Sequence, residues 1–298
     1  MGELPTTELV VYALVVGFCA AGAVVGVLQL GARGERYRGL LPHVLALAVV
    51  LEVVLLVMRG IAIGMAPLTG LFESMLVLSL VLGLIYLVLG VVIRQVWFGS
   101  VMAWLVLILV LLTGLVAAPA SRPVAIAARP WAIVHGLAMV LGAAMILLAA
   151  VTAWVYLLGC RRLKQRQVTK VLGVVPNIQK LERINLFSLK CAFVLVTIGF
   201  AGGVGGAWMG REVLGADFLR WLFDSKILAV GITWLLLAAV LIAHGVGWVR
   251  GKRTAQVTLV AFFWILFALV GTAVLCDTKH DFSGGDSSVQ VISRDVDE

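Results

Sequence analysis

The chain has 298 residues, of which 62% are hydrophobic and only 13% charged, with a mean hydropathy of +1.12. Those values exclude an ordinary water-soluble domain, in which about a quarter of the residues are charged. The formal net charge of +8 does not indicate nucleic-acid binding, because the basic residues are spread over short connections and are not gathered on one soluble face.

Eight stretches are apolar for the roughly 17 to 25 residues that a helix needs to cross about 30 Å of hydrocarbon. They cover residues 9–30, 40–58, 74–93, 101–118, 131–158, 191–208, 227–248 and 256–276. Strand-like alternation is absent, and lipid leaves no partner for unpaired backbone groups, so the sequence predicts an all-α polytopic transmembrane bundle of about eight helices. Residues 1–277 form that domain, and the polar, glycine-rich tail at 278–298 is expected to be disordered. The first stretch has no basic flank and follows Glu3 and Glu8, so no cleaved signal peptide is expected.

Arg33, Arg36, Arg38, Arg94, the eight basic residues of 161–190, and Arg250, Lys252 and Arg253 place 15 Lys and Arg on one side. The other side, with the tail, holds 8, among them Arg59 in the connection 59–73. The positive-inside rule then puts both termini outside, with the basic connections on the cytoplasmic side near anionic lipid heads.

Cys19, Cys160, Cys191 and Cys276 show no paired spacing, which argues against a thiol-disulfide oxidoreductase or a structural zinc site. The four histidines sort by depth. His43 and His244 fall at similar depth near the inner face, whereas His135 and His280 fall toward the outer face. Neutral imidazole is the usual axial ligand of haem iron, so two facing pairs of rings would suit haem, although a lone histidine near a helix end equally serves as a hydrogen-bonding or snorkelling group. Glu52, deep in the second stretch, is expected to be neutral or hydrogen-bonded to a neighbouring helix, and Glu73 to act as a first-turn acid. Gly199, Gly202, Gly203, Gly205 and Gly206 let the sixth helix approach its neighbours closely.

Several blocks, in order, resemble the CcsA/ResC type of cytochrome c assembly protein, a haem-handling family with a tryptophan-rich outer loop. Pro67-Leu68-Thr69-Gly70-Leu71-Phe72-Glu73-Ser74 is similar to that family's segment ahead of the third helix. Trp131-Ala132-Ile133-Val134-His135 resembles its W-x-x-x-H helix opening. Leu181-Glu182-Arg183-Ile184-Asn185 and the run from Ala192 to Gly199 resemble the two blocks before the loop. In the loop, at about 208–226, Trp221, Phe223, Asp224 and Lys226 resemble W-x-W-D-P-K, with Thr233-Trp234 and His244 following.

The resemblance implies haem b held by His135 and His244 as axial ligands, with His280 and His43 as second ligands. It implies that Trp208, Trp221, Phe223, Asp224, Lys226 and Trp234 complete the haem-handling surface. It further implies delivery of haem on the outer face to apocytochrome c, within a holocytochrome c synthase formed with a ResB/CcsB-like membrane partner. The loop departs from the family pattern: it is stretched around Gly215, Phe223 and Ser225 replace a tryptophan and a proline, and the usual histidine block after the last helix is absent. Those departures keep a HemX-like accessory protein in view, and Glu52 with the glycine-rich sixth helix keeps a small-solute transporter in view.

Overall fold

The computed structural model describes residues 4–30, 37, 39–64, 66–68, 70–92, 96–116, 130–165, 178–209 and 225–266. Among these residues the regular structure is wholly helical, in eight elements: α1 (Thr6–Gln29), α2 (Leu40–Ile63), α3 (Leu71–Val92), α4 (Val96–Val116), α5 (Pro130–Lys164), α6 (Ile178–Met209), α7 (Ser225–Gly245) and α8 (Lys252–Leu266). The first seven are long and apolar enough to cross a membrane. Only 15 residues of α8 are described, and the rest of its expected span, like the tail, lies outside the described residues.

Helix ends follow local chemistry. Pro5 precedes the first turn of α1, where a missing amide N–H costs nothing. Gly64 closes α2 with φ at 75°, a left-handed conformation that glycine adopts without penalty, and its N–H donates to the Gly60 carbonyl at 2.9 Å.

Two expected boundaries are corrected. Arg59, assigned from sequence to the outer connection, lies inside α2, which continues to Ile63. The basic connection 161–190 is helical at both ends, because α5 runs on to Lys164 and α6 begins at Ile178, with residues 166–177 outside the described residues. Both extensions carry exposed Arg161, Lys164, Lys180, Arg183 and Lys190, so the helices continue beyond their apolar runs with basic side chains on the outside of the bundle. Trp208, where the sequence reading ends the sixth span and begins the loop, sits in the last turn of α6.

The helices form two groups that meet along α5. α1 packs on α2 and α4, and α3 on α2 and α4; α5 lies along α6, touches α8, and reaches back to α3. The main apolar cluster runs through Leu45, Phe98, Met102 and Val110 to Ala144, Leu148 and Leu181, tying both groups together. A second cluster of Ile146, Ala149, Leu189, Val196 and Leu237 joins α5, α6 and α7.

At the basic end, the block starting at Leu181 joins three helices. Asn185, buried in α6, donates through Nδ2 to the Ala149 carbonyl of α5 at 2.8 Å and accepts from the Thr258 hydroxyl of α8 at 3.3 Å. One turn earlier, Glu182 Oε1 accepts from the Gly251 N–H at 3.0 Å, satisfying a backbone donor just ahead of α8 and placing an acid at the positive end of that helix. Asn185→Ala is expected to cost about 1–3 kcal/mol, the usual penalty for removing a buried hydrogen-bonding partner. Thermal unfolding in detergent checks this; a midpoint equal to wild type would contradict the tie.

Candidate functional site

The end opposite the basic connections carries the N-terminus of α5 and the C-terminus of α6. Here the α5 face formed by Trp131, His135 and Met139 rests on the α6 glycines, at the i, i+4 spacing that aligns side chains on one helix face. His135 is partly buried, and its Nδ1 lies 2.6 Å from the Gly199 carbonyl oxygen. A carbonyl only accepts, so Nδ1 carries the proton, and in the neutral ring the lone pair is on Nε2. Leu68 packs against the same turn, since a Cβ placed on Gly136 would meet Leu68 Cβ at 3.7 Å.

His244 occupies the last turn of α7, where the chain doubles back through Gly247 at φ 85° and Gly251 at φ 56°. That loop brings the Val249 carbonyl to 3.0 Å from His244 Nδ1. The same reasoning leaves the Nε2 lone pair available. His43, in the first turn of α2, is exposed, with Nδ1 2.6 Å from the Gly39 carbonyl.

The structure does not bring His43 and His244 into one packed interface. α2 packs on α1 and α3, whereas α7 packs on α6 and α8, so the two rings belong to different helix groups.

Two further polar groupings occupy α1 to α3. Arg59, 4% exposed, donates through Nε and Nη2 to Glu73 Oε1 at 3.1 and 2.7 Å, and through Nη1 to Glu8 Oε2 at 3.0 Å. Glu73 does lie in the first turn of α3, as expected, but its carboxylate is also paired with this buried guanidinium. Glu52, fully buried at the middle of α2, accepts from the Ser79 hydroxyl of α3 at 2.7 Å, which is the neighbouring-helix bond the sequence led us to expect.

The profile of the Cytochrome C assembly protein family matches residues 68–280, about 71% of the chain. The chain belongs to the cytochrome c assembly protein family. A relative from Azospirillum brasilense, described as an uncharacterized 28.8 kDa protein in the nifR3-like 5' region, is 25% identical over 211 residues, covering 70% of this chain and 76% of the relative. The family segment takes in α3 to α8 and both His135 and His244, while α1, α2, His43 and Arg59 precede it.

Within the family segment, Trp234 stacks on Phe193 with ring centroids 5.7 Å apart and donates its indole N–H to the Thr197 hydroxyl at 2.8 Å. The tryptophan expected at a haem-handling surface thus joins α7 to α6. Trp208 is 55% exposed at the end of α6, and Trp131 is 50% exposed at the start of α5, so two aromatic rings flank the His135 end of this helix pair. Trp221, Phe223, Asp224 and His280 lie outside the described residues, as does the side chain of Lys226.

A haem group needs an imidazole nitrogen with a lone pair, held by a hydrogen bond at the other ring nitrogen. His135 and His244 both meet that requirement through backbone carbonyls on this chain, so the residues present fit the group. Sequence reasoning missed the partners: nothing in the pattern around His135 singled out Gly199, 64 residues away.

Proposed function

We propose that this family member binds haem b and presents it at the end of the bundle bearing His135, for covalent attachment to apocytochrome c. The observation that carries the reading is the His135 ring, partly buried between α5 and α6, with Nδ1 committed to the Gly199 carbonyl and Nε2 left as a ligand. His244, held by the Val249 carbonyl near the basic end, supplies a second ligand at another depth. Trp131 and Trp208 offer exposed aromatic surface beside His135. Trp221, Phe223, Asp224 and Lys226 are assigned to the same surface on their motif, with His280 as second ligand there; His43, in the other helix group, is left out of the ligand set.

The protein's part in this reading is to bind, orient and shield. Haem, when bound, supplies the vinyl groups that react with cysteine thiols, and the chain's own residues fix its position relative to the membrane surface. Both termini and the His135 end face outside, and the basic end faces the cytoplasm of a bacterium, by the distribution of Lys and Arg. The partner is a ResB/CcsB-like membrane protein, by family resemblance. The altered loop, with Phe223 and Ser225 in place of the family's tryptophan and proline, favours as second reading a HemX-like accessory protein without synthase activity.

The test is an optical spectrum of the full chain purified from haem-replete membranes. The expected result is a low-spin haem signature in wild type, reduced in each of His135→Ala and His244→Ala. A colourless wild type, or spectra indifferent to both substitutions, overturns the haem reading.

A further inference from the structure

We propose that Gly203 is a positioning residue for the His135 imidazole: the side chain it lacks would fill the space in which the ring lies while Nδ1 donates to the Gly199 carbonyl. The biological point rests on His135 being an iron ligand, but the geometry can be tested without haem.

A Cβ built on Gly203 would come within 2.9 Å of His135 Nδ1 and 3.0 Å of Cε1, with the next atom, Cγ, at 3.8 Å. All three are ring atoms of His135. Its neighbours on α6 differ. A Cβ on Gly202 would meet the His135 Cα and Cβ at 3.7 Å, an ordinary contact, and one on Gly205 would meet nothing within 4 Å. On Gly199 it would come within 2.7 Å of the Met139 sulfur, the far end of a flexible side chain. Alanine is the better helix former, so where room exists the substitution should help the helix. At position 203 the ring must swing aside.

The consequence is chemical as well as steric. A deflected ring loses its 2.6 Å bond to the Gly199 carbonyl, and nothing then holds the proton on Nδ1. The tautomer with the proton on Nε2 becomes accessible, and that form has no lone pair on the nitrogen meant for iron. Thus α6, a helix that contributes no ligand of its own here, selects the ligating tautomer of a residue on α5.

Imidazole nitrogen NMR of the haem-free chain, labelled with ¹⁵N-histidine, reads this directly, since the chain has only four histidines and the His135 signal is the one lost in His135→Gln. Wild type, Gly202→Ala and Gly205→Ala are expected to show the Nδ1–H form, and Gly203→Ala a shift toward Nε2–H. In the haem-loaded chain, Gly203→Ala should weaken haem affinity at this site about 10- to 100-fold, the usual effect of removing a bond that orients a metal ligand. An unchanged tautomer in Gly203→Ala overturns the proposal.

If Gly203→Ala proves too unstable for NMR, thermal unfolding of Gly203→Ala, His135→Ala and the double variant decides. The cost of Gly203→Ala should vanish once the imidazole is gone, and an equal cost in both backgrounds overturns the proposal. A tautomer shift in a chain that binds no haem would leave the positioning inference standing and sink the haem reading.

Discussion

Arg59→Ala is expected to destabilise the folded bundle by about 3–5 kcal/mol, because it leaves the carboxylates of Glu8 and Glu73 buried without the cation they share. Both acids are nearly inaccessible, at 4% and 0% exposure, so solvation cannot readily make up for the lost guanidinium. The penalty belongs to the broken pairing and not to the pairing as such. Taking two carboxylates and a guanidinium out of water is itself costly, so a charge-free set of similar volume, Glu8→Gln with Arg59→Met and Glu73→Gln, is expected to fall within about 1–2 kcal/mol of wild type. Unfolding in detergent distinguishes the two variants. Equal losses in the single and triple variants would show that the ion cluster contributes through its shape alone, against this account.

Gly26→Val is expected to cost about 2–4 kcal/mol, adding overpacking to a lost hydrogen bond. The Gly26 carbonyl accepts from the Ser100 hydroxyl of α4, and a Cβ on Gly26 would lie 3.0 Å from the Ser100 Cα. The obstacle is backbone, so no side-chain rotation relieves it and α1 must move away from α4. Gly17→Val on the same helix provides the contrast, since nothing lies within 4 Å of a Cβ there and the residue is exposed. Comparable unfolding midpoints for the two variants would contradict the close approach of α1 and α4.

The membrane spans were legible because burial in lipid demands long apolar runs, and such runs are visible one residue at a time. The helical extensions at Ile178–Met209 and Pro130–Lys164 were not fully legible. Once outside the hydrocarbon a helix gains polar residues such as Lys180 and Arg183, and hydropathy stops reporting it. The second apolar stretch was ended at residue 58, just short of Arg59, yet the helix runs on because Glu8 and Glu73, 51 and 14 residues away, compensate the buried cation. His135 was recognised from its surroundings, but the acceptor that fixes its tautomer is a backbone carbonyl, and any residue would have supplied one. The glycine cluster was legible as a packing feature. Which of its members faces the imidazole depends on the rotation of α6 about its own axis, a quantity fixed by the whole interface with α5 and by no single residue.

The ion cluster straddles the edge of the family segment: Glu73 lies within residues 68–280, whereas Glu8 and Arg59 come from the two helices ahead of it. It is a graft junction. Transplanting that segment into another protein, or trimming away α1 and α2, would strip Glu73 of its guanidinium while retaining the carboxylate at the mouth of α3. Any such chimaera should therefore carry Glu73→Gln as its first repair, before the function of the transplanted part is judged.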